Sequence, residues 1–257
     1  MGTVTGYLAG LLGIGGGMIQ VPFLTTLLVQ HGMASELALK TAIATAMATI
    51  AFTSLSSVRA HHARGAVRWD IARAMAPGML AGALVAGAGL FALLKGPALG
   101  LVFALFVGYS ATQMLLERKP KASRLLPGAP VQAVVGAGIG ALASLVGAGG
   151  AFMSVPFMLW CNVPIHHAVG TSAALGFPIA LASTLGYVIG GWSLPPSLPG
   201  AFGYLYLPAL AIVAAASVLM APLGARTAHA MDTRRFRRIF AVLLYGVAGY
   251  MAWRGFA

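Results

Sequence analysis

The apolar positions of this chain run in long blocks separated by short polar segments. A helix needs roughly 20 such residues to cross ~30 Å of hydrocarbon. Residues 37–58, 74–94, 98–116, 168–189 and 204–224 meet that length without an internal charge, apart from Lys40 near the start of the first block. Residues 239–253 form a shorter sixth block, which snorkelling of Arg237 and Arg238 extends. Two further apolar stretches, 2–29 and 131–160, are each broken near the middle by a glycine cluster and a proline. Each is long for one span and short for two, so each is predicted to be a re-entrant hairpin or a pair of short helices. No charged n-region or small-residue cleavage site precedes the first stretch in a signal-peptide pattern, so it is read as part of the mature protein.

Composition agrees with a bilayer as solvent. The 257 residues are 59% hydrophobic and 8% charged, whereas soluble domains carry about 25% charged residues. A soluble enzyme of this size could not cover its core with so few charges. Glycine is abundant, at 34 residues without a G-X-Y period, which excludes collagen; the hydrophobicity excludes disorder. Glycine in membrane helices lets backbones approach closely. The single cysteine, Cys161, permits no intramolecular disulfide and reads as a small core residue.

The two broken stretches match each other. Residues 13–24 (GIGGGMIQVPFL) lie over 147–158 (GAGGAFMSVPFM), both reading G-x-G-G-small-x-x-x-V-P-F. The match continues from Thr41-Ala42-Ile43-Ala44 to Thr171-Ser172-Ala173-Ala174, and from 102–105 to 239–242, with some slippage between blocks. The chain is therefore expected to be a duplication. Residues 1–120 form the first repeat and 131–257 the second, joined by a cytoplasmic linker at 117–130. Each repeat holds a hairpin (2–29 or 131–160) and three transmembrane helices. Three is odd, so the second repeat must enter with inverted topology.

Loop charge gives an independent test. Segments 59–73, 117–130 and 225–238 hold 13 of the 16 basic residues, while the loop matching 59–73 in the second half, 190–203, holds none. Basic residues mark the cytoplasmic side, which leaves Lys40, Lys95 and Arg254 outside and both termini extracytoplasmic. The net charge of +12 is then a topology signal rather than a nucleic-acid footprint. Trp69, Trp160, Trp192 and Trp253 all fall at span ends, as an aromatic belt requires.

Inverted repeats with broken helices place a site at mid-membrane, where the repeats meet. A glycine break frees backbone N–H groups, and a helix starting after it turns those groups and its positive dipole end toward an anion. Candidate binding residues are Gly15, Gly16, Gly17, Gln20, Thr41 and Thr45 in the first repeat. In the second they are Gly149, Gly150, Ala151, Ser154, Thr171 and Ser172. Their side chains are neutral, and their hydroxyl and amide donors suit an oxyanion. Lys40 either snorkels or attracts anions toward the site. His61 and His62 read as solvated loop residues, and His166 and His167 as an interfacial helix start. The four acids, Glu36, Asp70, Glu117 and Asp232, all fall outside the spans. That weighs against an intramembrane protease, a carboxylate proton pump or a carboxylate sodium site. No His/Cys/acid set has metal-ligand spacing, so no metal, cofactor or enzymatic activity is expected.

The G-x-G-G-G-x-x-x-x-P pattern of the first half with its G-x-G-G-A counterpart in the second, the stretch Ala168-Val169-Gly170-Thr171-Ser172 and the basic loop ending in Val67-Arg68-Trp69 resemble the sulfite exporter TauE/SafE family over nearly the whole chain. The resemblance implies movement of sulfite, sulfonates or other sulfur-containing or organic anions across the prokaryotic cytoplasmic membrane, commonly outward. The first half has Leu39-Lys40-Thr41-Ala42 where the second has Val169-Gly170-Thr171-Ser172, so the two half-sites are not equivalent. The expectation is an all-α polytopic inner-membrane transporter for a small anion, working by alternating access. A channel for anions or small solutes is the alternative. A coupling proton and a second copy of the chain stand as candidate partners beside the anion and the bilayer.

Overall fold

The computed structural model describes residues 2–4, 6–7, 16–116, 125–196, 198–230 and 234–256. Gly13, Ile14 and Gly15 of the first motif, Glu117, Arg118, Lys119, Lys121 and Arg124 of the linker, and Asp232 lie outside the described residues. The elements are α1 (Gly17–Gln30), α2 (Ser35–His62), α3 (Trp69–Leu93), α4 (Gly96–Leu116), α5 (Ala129–Val146), α6 (Ala151–Trp160) and α7 (Ile165–Gly190). Two short strands follow, β1 (Ala201–Phe202) and β2 (Leu205–Tyr206), then α8 (Leu207–Ala230) and α9 (Arg234–Phe256). The protein is an all-α polytopic membrane protein. Among the described residues six helices are long and apolar enough to cross a bilayer: α2, α3, α4, α5, α7 and the 207–224 part of α8.

Several helix ends differ from the sequence expectation. Helix α3 starts at Trp69, since Asp70 in its first turn favours the positive end of the helix dipole. It contains one π-helical segment, Ala86–Leu90. Helix α8 starts at Leu207 because the preceding residues pair as a small antiparallel ladder, Ala201 with Tyr206 and Phe202 with Leu205. Helix α2 continues through His62, and the chain then folds back so that the Arg64 and Ala66 amides both donate to the His61 carbonyl. His61 is consequently 3% exposed, which corrects its reading as a solvated loop residue. Trp69, Trp160, Trp192 and Trp253 are exposed at or just beyond helix ends.

The second broken stretch has unequal arms. Helix α5 has 18 residues and α6 has 10, on either side of the break at Gly147–Gly150. At 1.5 Å per residue they are about 27 and 15 Å long. The same local geometry occurs in both halves. Gly16 and Gly150, matched by the motif, cap α1 and α6 with left-handed φ values of 71° and 74°. At the far ends, the turn at His31-Gly32-Met33 repeats at Cys161-Asn162-Val163, with left-handed φ at Gly32 and Asn162 and matching backbone bonds. Helix α1, at 14 residues, is four longer than α6. That difference is about one helical turn and equals the four-residue slippage between the glycine motif and the Thr41/Thr171 block.

Helices α2 and α7 form the centre. Both are apolar nearly all round and rich in small residues, the pattern of a helix buried on every side. They pack on each other, with α3 also along α7 and α8 along α2. Helix α3 packs along α5, and residues 2 and 6 pack on α8 through Val213, Ala216 and Ser217. Helices α4 and α9 pair at the periphery, joined by Thr112 and Tyr245 at 2.6 Å.

Candidate functional site

The site is built from the two helix starts that follow the glycine breaks. Neither α1 nor α6 has a side-chain cap. Intrahelical bonding begins with the amides of Ile19 and Gln20 onto the Gly16 carbonyl, and with those of Met153 and Ser154 onto the Gly150 carbonyl. The amides of residues 17 and 18, and of 151 and 152, precede those bonds and are the donors that a helix start leaves without an intrahelical partner.

The two breaks touch. A Cβ on Gly17 would lie 1.9 Å from the Gly147 carbonyl oxygen, so only glycine allows this approach. Gly147, at φ 69°, is itself wedged against Ile43 of α2 and Val21 of α1. Gly17 also faces Ile50 of α2, while Gly150 faces Ile179 of α7. Gly16, Gly17, Gly149, Gly150 and Ala151 are all buried. The tips therefore meet between the two central helices.

The predicted side chains do not all gather there. Ser154 of α6 and Ser172 of α7 share a hydrogen bond of 2.8 Å and are both buried, so the structure brings this pair together. Gln20 and Thr41 are buried on α1 and α2. Thr45 accepts the Tyr206 amide N–H at 3.0 Å, and Thr171 accepts the Arg68 amide N–H at 2.9 Å. The loop after α2 thus touches the start of α7, and the loop after α7 touches the start of α2. The two helices run antiparallel, and Thr45 and Thr171 stand toward opposite ends of the crossing.

Lys40 is 7% exposed. Its Nζ donates to the Ala92 carbonyl at 3.1 Å, lies 3.6 Å from Glu36 Oε1 and stands 5.8 Å from the Tyr204 ring centre. It ties the start of α2 to the last turn of α3, where a cation favours the negative dipole end. Lys40→Met is expected to lower stability by about 1–3 kcal/mol by leaving that carbonyl without its charged donor. A thermal melt of the purified protein checks this. Tyr204, in the turn before α8, has its phenol pushed above the ordinary range by burial and, secondarily, by the charge of Glu36.

Sequence reasoning missed an aromatic series at this end. Tyr204 meets Phe91 edge-on at 5.4 Å, and Phe91 packs on Tyr187 at 4.4 Å. The Tyr187 hydroxyl donates to the Ser144 carbonyl and accepts from Ser144 Oγ at 3.2 Å. Ser144 lies in the last turn of α5, so Tyr187 satisfies a carbonyl exposed by the second break. A tyrosine inside an apolar block was the one available signal, since a buried phenol needs a partner.

Comparison with known proteins adds to this geometry. The family model described as "Sulfite exporter TauE/SafE" matches residues 1–251. A "Probable membrane transporter protein" of Haemophilus influenzae strain Rd is 32% identical over 249 residues, covering 96% of this chain and 94% of the relative. A "Probable membrane transporter protein YdhB" of Bacillus subtilis strain 168 is 27% identical over 199 residues, covering 73% of this chain and 76% of the relative. No solved structure matches the chain.

Proposed function

The chain belongs to the sulfite exporter TauE/SafE family and is a membrane transporter, and from that premise we propose that its cargo is a small anion, namely sulfite, an organosulfonate or a related sulfur-containing or organic anion. The carrying observation is a pair of buried helix starts without side-chain caps, at Gly16 and Gly150, one in each of two glycine breaks that touch through Gly17 and Gly147. Helix starts favour anions through their dipole and their spare amides, and the membrane interior makes both count for more. The cargo binds at Gly15–Gly17 and Gly149–Ala151, with Gln20, Thr41, Ser154 and Ser172 as side-chain donors; Thr45 and Thr171, which hold loop amides toward opposite ends of the crossing, stand outside that set, and Lys40 biases entry toward negative charge.

The chain works as two inverted repeats. This reading is supported by the matched caps at Gly16 and Gly150 and by the reciprocal packing of α3 on α7 and α8 on α2. The protein lies in the cytoplasmic membrane with both termini outside, moves its cargo outward by alternating access, and couples to a proton. Glycine breaks that meet, rather than line an open pore, favour a carrier over a channel.

Counterflow tests the proposal in liposomes preloaded with unlabelled sulfite, sulfate, thiosulfate, sulfonates or carboxylates. Preloaded sulfite or a sulfonate is expected to drive uptake of its labelled form at least several-fold above empty liposomes. Uptake that ignores the preload indicates a channel. Counterflow by carboxylates alone sinks the sulfur-anion assignment.

A further inference from the structure

Two buried hydroxyls hold loops that belong to the opposite central helix. Thr45 of α2 accepts the amide of Tyr206, and Thr171 of α7 accepts the amide of Arg68. Arg68 caps α3 and Tyr206 directly precedes α8. The loop that follows α2 is held by α7, and the loop that follows α7 is held by α2. Each attachment has further contacts. At the start of α7, the Ala66 carbonyl lies against Gly170, where a Cβ would stand 2.6 Å from it, and pairs with His167 Nδ1 at 3.2 Å. At the start of α2, the Tyr204 ring lies beneath Lys40 and against Gly191 and Phe91.

We propose that these bonds are two latches, each closing the protein to one membrane face, and that exposing the helix tips to a face requires the latch on that face to break while the other holds. The inference rests on the alternating-access reading above. The tips pack on the same two helices: Gly17 and Gly147 face Ile50 and Ile43 of α2, on either side of Thr45 in sequence, while Gly150 faces Ile179 of α7, eight residues beyond Thr171. Releasing an amide into hydrocarbon is costly, whereas releasing it into entering water costs little because water replaces the hydroxyl. A latch of this kind is therefore stable when dry and easily opened once wet. Both bonds are made in this structure.

The test is thiol labelling of reconstituted full-length protein in a Cys161→Ala background, with reporters Ala42→Cys on α2 and Ala173→Cys on α7. Both alanines are buried, within three residues of a latch threonine. A membrane-impermeant thiosulfonate is applied from each face in turn. Thr171→Val is expected to speed labelling at position 173, from the face where α7 starts, by about fivefold and to slow labelling at position 42. Thr45→Val is expected to do the reverse. Thr171→Ser and Thr45→Ser, which keep the acceptor, should return both rates to the parent values. Valine variants that speed both reporters, or neither, overturn the latches. If a valine variant does not accumulate, Thr171→Ala and Thr45→Ala are read by the same criterion. Labelling needs no cargo, so reciprocal labelling without counterflow by any anion overturns the cargo assignment and leaves the latches standing.

Discussion

Gly17→Ala should cut anion counterflow by roughly one to two orders of magnitude even though alanine is the better helix former. Helix propensity alone favours alanine over glycine by about 1 kcal/mol, so an exposed position would gain stability. Position 17 behaves differently because the new Cβ would stand 1.9 Å from the Gly147 carbonyl oxygen. Moving that contact out to 3.0 Å separates the two tips by about 1 Å. No rotamer change can relieve it, since the opposing atom is backbone and Gly147 is held between Ile43 and Val21. Overpacking of this kind costs about 1–3 kcal/mol, roughly a fivefold to 150-fold loss if it falls on the transport cycle. Gly138→Ala, on α5 with nothing near the added Cβ, is the matched control and should transport normally. Counterflow rates normalised to inserted protein check both, and wild-type counterflow by Gly17→Ala would rule out the touching tips as the site.

The breaks were legible because glycine clusters with a following proline have few uses inside a bilayer. The sequence match of residues 13–24 with 147–158 predicted equivalent backbone, and the two left-handed caps at Gly16 and Gly150 agree with it. The central span blocks were legible for a simpler reason: length and hydropathy decide what can cross. The unequal arms of the second hairpin were not legible, because an uninterrupted apolar run does not show where in depth its break lies. Nor was the burial of His61, which depends on the chain folding back over the end of α2.

The threonines show where composition stops informing. Thr41, Thr45 and Thr171 look alike in sequence, as neutral donors beside a matched motif. Only tertiary structure shows that Thr45 and Thr171 accept amides from loops about 100 or more residues away in the chain. Such bonds are made between neutral groups and leave no trace in charge or periodicity. Tyr187 is a similar case: its partner, the Ser144 carbonyl, is a backbone atom freed by the break and invisible to any side-chain pattern.

The second large effect is expected away from the tips, at the seam between α3 and α5. Added Cβ atoms at Gly78 and Gly82 would lie 1.8 and 2.0 Å from the carbonyls of Ala133 and Ala137. From the facing side, Gly136 and Gly140 approach the carbonyls of Met75 and Met79 in the same way. In lipid there is no hydrophobic drive to hold separated helices together, so association depends on this close fit. The pair Gly78→Val with Gly82→Val should therefore cost roughly 2–6 kcal/mol, taking each overpacked site at the usual range. The purified protein is expected to melt well below the parent or to elute as aggregate, whereas Gly138→Val should behave like the parent because its site is open. A double variant that melts with the parent would mean that α5 is not held by α3. The consequence reaches the tips, since α5 ends at Gly147 and the seam fixes where that residue stands. A partial variant such as Gly82→Ala should then lose counterflow before it loses the fold, because a small shift of α5 moves Gly147 off Gly17 while most of the seam is still packed.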